Sequence, residues 1–252
     1  MNHAAMADQS LRTHEGDVAR VMSLTEGLVE LCHREVPRLA PDPNRIQFTD
    51  SDFDSGAADV LAALEGDPIW VFAYGSLIWK PAASPVEQRK SHALGWHRSF
   101  CLEMREWRGT PEQPGLMMAL RRGGSCTGIA QRLQGRDRHS EMVALLRREI
   151  GGPEGFGSLR IINLYSEGGP LRALCFYADP DELANRPELP IEMVASVLAS
   201  ACGHAGSGAE YLFRTVSALE TEGIHDPHLW SLQELVAREI RAHYSIPLDK
   251  NE

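Results

Sequence analysis

The stretch Ile69-Trp70-Val71-Phe72-Ala73-Tyr74, which ends at Gly75-Ser76, is the part of the sequence that decides the fold. A continuous apolar run rich in β-branched and aromatic residues and ended by turn residues indicates a buried strand. The glycine would let a ligand approach the backbone closely, and the amide groups of such a turn can bind a carboxylate or an oxyanion. An ordinary turn at a strand end explains the same residues, so the stretch alone does not establish a site.

Further strands are expected on the C-terminal side of this run. Residues 94–104 alternate with a period of two, which places Leu94, Trp96 and Phe100 on one face and Cys101 on the other. Arg98 also falls on the apolar face, which is unusual for a charged residue. The remaining predicted strands cover residues 116–121, 126–133, about 158–166 and about 171–178.

Helices are predicted on both sides of these strands. The predicted helices are 137–150, one opened by Pro190, 208–222, and a last one capped by Asp226-Pro227. Strands flanked by helix clusters indicate an α+β domain, and short central strands could close into a small barrel that leaves no exposed edge. We predict that these strands and helices form one domain at 67–245.

Residues 1–66 are predicted to form a helical extension. Val18, Met22, Leu28, Leu31 and Cys32 recur at roughly helical spacing. Pro37, Pro41 and Pro43 would end this first helix, and a second helix is expected from Asp52 to Glu65.

Composition excludes several classes of function. The 252 residues carry a formal net charge of −10, which disfavours nucleic acid as a partner. The five cysteines include no CxxC pair, and the start lacks the pattern of a signal peptide, so we expect free thiols in the cytoplasm. The longest apolar stretch, 68–79, is too short to cross a membrane.

Glu149 stands out in the predicted helix 137–150. It lies seven, four and three residues after Met142, Leu145 and Leu146, which places its carboxylate within the apolar stripe. Burial and the negative end of the helix dipole both raise the pKa of a glutamate there. A carboxyl titrating nearer neutral pH is suited to general acid–base catalysis, although a glutamate reaching solvent or paired with an arginine gives the same pattern.

Metal binding and cysteine catalysis are weaker readings. His225, Asp226 and His228, or the pair His92 and His97, could hold a cation, but helix capping explains Asp226 and no third ligand stands at zinc-like spacing. Cys101 and Cys175 lie in strand patterns typical of core residues. We therefore expect neither a metal nor another cofactor.

The chain also resembles the ChaC-type, glutathione-specific γ-glutamylcyclotransferases. The resemblance spans about residues 68–240 and rests on motifs that occur in the family's order. These motifs are Val71 to Trp79, Gly95 to Cys101, Arg108 to Pro111 with Pro114-Gly115, Arg148 to Gly152, and Glu210 to Phe213. The family fold implied is a small closed β-barrel surrounded by helices.

The resemblance also implies roles for matching residues. Glu149 would be the catalytic acid and base of a lyase that releases 5-oxoproline, and Tyr211 would lie near the pocket. The substrate-binding loop would consist of Val71, Phe72, Ala73, Tyr74, Gly75, Ser76 and Leu77. Arg98 is a candidate for the substrate carboxylate, with an internal salt bridge or an exposed barrel end as the alternatives.

Three departures from the family pattern bear on the substrate. Ala73 replaces an expected glycine, residues 153–156 lack the usual aromatic directly after Gly152, and 206–209 lack a frequent asparagine. The last two concern substrate preference more than reaction type. A cyclotransferase for other γ-glutamyl amino acids or amines and a non-catalytic binding module therefore remain as alternatives.

Overall fold

The protein is built around a closed β-barrel. A computed structural model describes residues 20–39, 48–150, 153–179 and 185–246. The barrel strands are β1 (Trp70–Ala73), β2 (Glu87–Met104), β3 (Gly115–Arg132), β4 (Leu159–Ser166) and β5 (Gly169–Phe176), in the order β1-β3-β2-β4-β5. Strand β1 pairs antiparallel with β3 and parallel with β5, so the barrel is mixed. Closure leaves no open sheet edge, and the predicted fold class is confirmed.

Strands β2 and β3 form one long antiparallel ribbon. The sequence predicted two strands, at 116–121 and 126–133, in place of β3, and Gly123 and Gly124 lie between them. Both glycines take positive φ angles within the strand, and the register shifts opposite them, between Leu94 and Trp96. The glycines therefore form an irregularity in a continuous strand, as a β-bulge does.

The same irregularities correct the predicted faces of β2. Leu94 is 60% exposed whereas Trp96 is 4% exposed, because the register shift separates them. A second shift lies between Phe100 and Leu102, and Phe100 and Cys101 are both buried. At the first shift Gly95, with a φ of 79°, lies opposite both Gly123 and Gly124, so the extra residue belongs to β3; at the second shift Cys101 is the extra residue of β2. Irregularities of this kind change which side chains face the core, which strict alternation does not anticipate.

Helices cover the barrel. They are α1 (Glu26–Leu31), α2 (Asp50–Ala63), α3 (Ser76–Trp79), α4 (Arg138–Glu149), α5 (Ile191–Ser200), α6 (Gly208–Thr221) and α7 (Pro227–His243), with a 3₁₀ turn at Pro153–Ser158 and a short ribbon of β6 (Cys202–Gly203) and β7 (Gly206–Ser207). Asp226 caps α7, accepting a hydrogen bond from the Leu229 amide, and Pro227 occupies the first turn, as predicted.

The N-terminal extension packs into the core of the domain. Helix α1 contacts α6 and α7, and α2 contacts α4. Buried side chains of the extension belong to the same apolar cluster as those of α6 and α7; they are Leu24, Leu28, Cys32, Phe53, Ala57 and Leu64. Of the predicted first helix, Val18 and Pro41 to Pro43 lie outside the described residues, and α1 ends at Leu31.

Two further expectations from the sequence were free thiols and the lack of a segment able to cross a membrane. All five cysteines are buried free thiols. Among the described helices, none combines the length and the apolar character needed to cross a bilayer.

Candidate active site

Glu149 is the last residue of α4. Met142, Leu145 and Leu146 of the same helix are fully buried, which confirms the apolar stripe. The Glu149 side chain is only 18% exposed, and its Oε1 lies 2.9 Å from Nε of Arg148. Burial raises the pKa of the Glu149 carboxyl above its ordinary value, and the charge of Arg148 opposes that effect only in part. The carboxylate is thus both partly shielded and reachable.

The turn after β1 is anchored at Tyr74. The buried Tyr74 hydroxyl donates a hydrogen bond of 2.7 Å to the Phe176 carbonyl at the end of β5. The Tyr74 carbonyl accepts one of 2.7 Å from Nε of Arg98. Gly75 is the N-cap residue of α3, which begins at Ser76. Both ends of the Tyr74 residue are therefore held, which limits how far the turn can move.

Tyr211, on α6, packs against the turn at Gly75. Its ring packs edge-on against Trp79 and Phe100, each at 6.0 Å between ring centroids. A Cβ placed on Gly75 would lie 2.8 Å from the Tyr211 hydroxyl, so only glycine lets the two approach this closely. Burial raises the pKa of Tyr211 to about 12, while hydrogen bonds from the backbone and side chain of Ser76 act in the opposite direction.

Electrostatics link these groups into one cluster. Burial is the main cause that raises the pKa of Tyr74, and electrostatic interactions with Tyr211 and with the Glu149 carboxylate raise it further. The charge of Glu149 also raises the pKa of Tyr211. The Glu149 carboxylate therefore interacts electrostatically with both tyrosines, and such interactions weaken with distance. The structure thus links Glu149 electrostatically to Tyr74 and Tyr211, and Tyr211 packs directly on the turn at Gly75-Ser76.

The other residues predicted for the loop support it from the core. The side chains of Val71, Phe72, Ala73 and Leu77 are buried among apolar neighbours. The Leu77 carbonyl accepts a hydrogen bond of 3.1 Å from the buried Gln131 amide. These residues hold the turn in place through strand β1 and helix α3, and their side chains belong to the core.

Arg98 is occupied by internal partners. Its side chain is 3% exposed, and NH1 lies 2.8 Å from Oδ2 of Asp226. Nε binds the Tyr74 carbonyl and NH2 binds the Thr127 carbonyl. The internal salt bridge left open by the sequence is therefore the observed arrangement, and Arg98 fixes the turn through the Tyr74 backbone.

Arg108 is a buried charged residue that the sequence did not single out by itself. Its guanidinium lies 5.3 Å from the centroid of the Tyr211 ring and 3.0 Å from Oε2 of Glu210. NH1 also donates to the Ser207 carbonyl at 2.8 Å. The motif from Arg108 to Pro111 was visible in the sequence, but its contact with α6 depends on the tertiary fold.

Two of the candidate metal ligands, Asp226 and His225, have other partners. Asp226 caps α7 and pairs with Arg98. His225 Nδ1 lies 2.7 Å from Glu220 Oε1. Within the described parts of the chain, no group of three or more histidine, cysteine, aspartate or glutamate side chains is arranged to hold a metal.

Solved structures resemble this fold. A glutathione-specific γ-glutamyl cyclotransferase from yeast superimposes with a TM-score of 0.62 at 21% identity, covering 68% of this chain and 96% of the yeast chain. At that identity the likeness concerns the fold alone. It agrees with the predicted barrel and helices.

Sequence comparisons extend the likeness to curated proteins. The glutathione-specific γ-glutamylcyclotransferase of Escherichia coli is 34% identical over 173 residues, which is 69% of this chain and 74% of that protein. The γ-glutamylcyclotransferase 2-1 of Arabidopsis thaliana is 29% identical and covers 71% of this chain and 85% of its own length. The model of the family described as ChaC-like protein matches residues 69–239. With the motifs in order, the barrel observed and a family match over most of its length, this chain belongs to the ChaC-like family.

Proposed function

We propose that this protein is a γ-glutamylcyclotransferase that cleaves glutathione into 5-oxoproline and cysteinylglycine, with Glu149 as the general base and acid. The observation that carries the proposal is the Glu149 carboxyl, whose pKa is raised by burial and whose charge acts on Tyr211, the residue that packs on the turn at Gly75-Ser76. The E. coli relative, at 34% identity, is named for this activity. Small-molecule turnover also fits the net charge of −10, which disfavours nucleic acid as a partner.

The reaction needs no nucleophile from the protein. The α-amine of the γ-glutamyl group attacks the γ-carbonyl carbon, and a C–N bond forms to close a five-membered lactam. Glu149 takes one proton from the α-ammonium group before the attack and delivers it to the nitrogen of the cysteinyl residue as the original amide bond breaks. It then takes a second proton from the attacking nitrogen, which becomes the lactam N–H, and passes it to the released amine, which leaves as an ammonium group. Atoms and charges balance without water or another reactant, and one carboxyl performs both transfers in turn.

The turn at Tyr74–Leu77 would position the substrate and stabilise the oxyanion. Bringing the amine and the carbonyl together lowers the entropic part of the barrier, which calls for a rigid binding loop. Arg98 and Phe176 hold both ends of Tyr74, which gives the turn that rigidity. Backbone N–H groups of the turn would bind the oxyanion of the tetrahedral intermediate. Tyr211 lines the same turn and would contact the γ-glutamyl group.

A second candidate is a cyclotransferase that acts on other γ-glutamyl amino acids or amines. It is favoured by the Arabidopsis relative, whose name specifies no glutathione preference, and by the departures at 153–156 and 206–209. The third alternative, a binding module without catalysis, does not account for a glutamate with a raised pKa beside the loop.

The test is to incubate the purified protein with glutathione and to quantify 5-oxoproline and cysteinylglycine by mass spectrometry. Glu149→Gln should lower kcat by roughly 10²–10⁴-fold, because the proton acceptor is lost while the shape is kept. Glu239→Gln, the same chemical change at an exposed position of α7, is the matched control and should leave kcat unchanged.

Each outcome distinguishes among the candidates. Equimolar products from the wild type and almost none from Glu149→Gln support the proposal. Turnover of γ-glutamyl-alanine in preference to glutathione would favour the second candidate. Equal activity in wild type and Glu149→Gln would remove Glu149 from its role, and inactivity toward every γ-glutamyl substrate would leave the binding module.

A further inference from the structure

Helix α2 lies outside residues 69–239, which match the family, and yet it packs on the helix that ends at Glu149. The guanidinium of Arg147, two residues before Glu149, lies 4.6 Å above the ring of Phe53. The same Arg147 forms an ion pair of 2.6 Å with Asp50. The ion pair is exposed and contributes little, but the buried Phe53 ring fixes where the last turn of α4 lies.

A second contact joins α2 to the 3₁₀ turn that follows Glu149. The Phe156 ring sits against Gly56 of α2 so closely that a Cβ on Gly56 would overlap ring carbons. Phe48, two residues before α2, packs edge-on against Phe156 with 5.1 Å between the ring centroids. The absence of a side chain at Gly56 therefore makes room for the Phe156 ring. Any larger residue at position 56 would displace the ring.

The 3₁₀ turn connects the packing of Phe156 to the end of α4, where Glu149 lies. A Cβ on Gly155 would lie 2.8 Å from Cγ2 of Ile150, so the turn folds back onto the residue next to Glu149. The Ile150 amide in turn donates to the Leu146 carbonyl at 2.8 Å and closes α4. The far end of the turn is tied to β5 through the Ser158 carbonyl, which accepts from the Tyr177 amide at 2.8 Å.

We propose that α2 positions the Glu149 carboxyl, with Gly56 and Phe156 as the positioning residues that hold the end of α4 against the barrel. The proposal rests on the proposed function, because it assigns α2 a part in the reaction of Glu149. A displacement of a catalytic group by about 1 Å costs on the order of 10²-fold in rate. The packing of Phe156 on Gly56 can therefore affect turnover through the position of Glu149, although neither residue touches substrate.

A groove beside this contact makes the proposal testable without unfolding the protein. It has a volume of about 590 Å³ and lies between α2 and the barrel, with Phe156, Val60 and Leu159 among its lining residues. If Gly56 gains a side chain, the Phe156 ring can move into this space and take the 3₁₀ turn with it.

The experiment compares Gly56→Leu, Phe156→Ala, the double variant, and Ala58→Leu on the exposed side of α2. Gly56→Leu should lower kcat for glutathione by about tenfold or more while KM changes by less than about threefold, since the turn at Gly75-Ser76 is untouched. The double variant, in which leucine fills the space left by the ring, should recover kcat to within about threefold of wild type. Ala58→Leu should behave as wild type.

Hydrogen exchange at the amides of 145–150 supplies a readout that does not need activity. Exchange should be about tenfold faster in Gly56→Leu than in wild type or Ala58→Leu, and should slow again in the double variant. If Gly56→Leu does not fold, Phe156→Ala carries the same expectations for kcat and exchange.

The outcomes separate this proposal from the proposed function. A wild type that releases no 5-oxoproline overturns the proposed function, and the exchange rates then decide whether α2 holds the end of α4. Folded Gly56→Leu and Phe156→Ala proteins with wild-type kcat would refute the positioning role. A loss of kcat that the double variant does not recover would also refute it.

Discussion

At the scale of single residues, Glu149 combines two properties that usually conflict. Its carboxyl is mostly shielded, which raises its pKa, and yet 18% of the side chain remains exposed. The helix stripe of Met142, Leu145 and Leu146 forces that position, because a residue three, four or seven places along shares their face. A general base benefits from this arrangement because its pKa approaches the working pH.

The raised pKa of Glu149 predicts the pH dependence of the activity. The ionised form accepts the proton, so kcat/KM should fall as the pH falls through the pKa of Glu149 in the folded protein. Because that pKa is raised, the acid limb should lie above pH 4.5, the ordinary value for glutamate. The measurement is a profile of kcat/KM against pH with glutathione. An acid limb at or below the ordinary value would contradict the assignment.

Gly75 offers a second test at this scale. In Gly75→Ala, the new Cβ would lie 2.8 Å from the Tyr211 hydroxyl and 3.1 Å from Cε of Met118, so the turn or Tyr211 must shift. We expect kcat/KM to fall by about 10²-fold, which is typical for a 1 Å misplacement at a catalytic site. Tyr211→Phe in the same protein removes the crowded hydroxyl and should recover part of the loss. Wild-type kinetics in Gly75→Ala would show that this contact does not matter.

At the scale of elements, Arg98 joins three parts of the fold. From β2 it reaches the turn after β1 through the Tyr74 carbonyl, β3 through the Thr127 carbonyl, and the cap of α7 through Asp226. Each of these partly or fully buried partners would lose a hydrogen-bond donor if the guanidinium were removed. Arg98 therefore stabilises the junction of the barrel with its last helix.

Arg98→Met should lower the free energy of unfolding by about 2–4 kcal/mol, because it leaves buried carbonyls and the Asp226 carboxylate without their donor. Urea denaturation followed by circular dichroism measures the change. Arg98→Met with Asp226→Asn should lose less than the sum of the single variants, since the unpaired charge is gone while asparagine still caps α7. Additive losses would show that the ion pair carries no coupling.

At the scale of the whole molecule, the extension and the barrel domain share one core. The sequence predicts a boundary between residues 66 and 67, and that division stays a prediction. Side chains on both sides of it belong to one buried cluster, including Leu24 and Phe53 from the extension. Leu24 also donates its amide to Oε1 of Gln233 on α7 at 2.8 Å. We propose that the extension is an integral layer of the domain.

Leu24→Ala tests this proposal. Leu24 is 0% exposed, so the substitution should cost about 2–5 kcal/mol, as for a leucine in any well-packed core. Val21→Ala, at an exposed position of the same segment, should cost less than about 0.5 kcal/mol. Both are measured by urea denaturation. Equal, small losses would show that the segment is an appendage that the domain does not need.

Local pattern alone determined a large part of this protein. The apolar run at 69–74, the stripe that carries Glu149 and the Asp226-Pro227 cap each depend on neighbours within a few residues, and each was found as predicted. The ordered motifs indicated the ChaC-like family, which the comparisons confirm. Hydrophobic periodicity and capping act over short sequence distances, so a sequence reveals them directly.

The tertiary structure alone decided the rest. The faces of β2 depend on register shifts against β3, and the partners of Arg98 come from residues 24, 29 and 128 positions away. The packing of Gly56 on Phe156 joins segments one hundred residues apart. Such pairs form only when the barrel closes, because closure sets which distant surfaces meet, and no local periodicity encodes that choice.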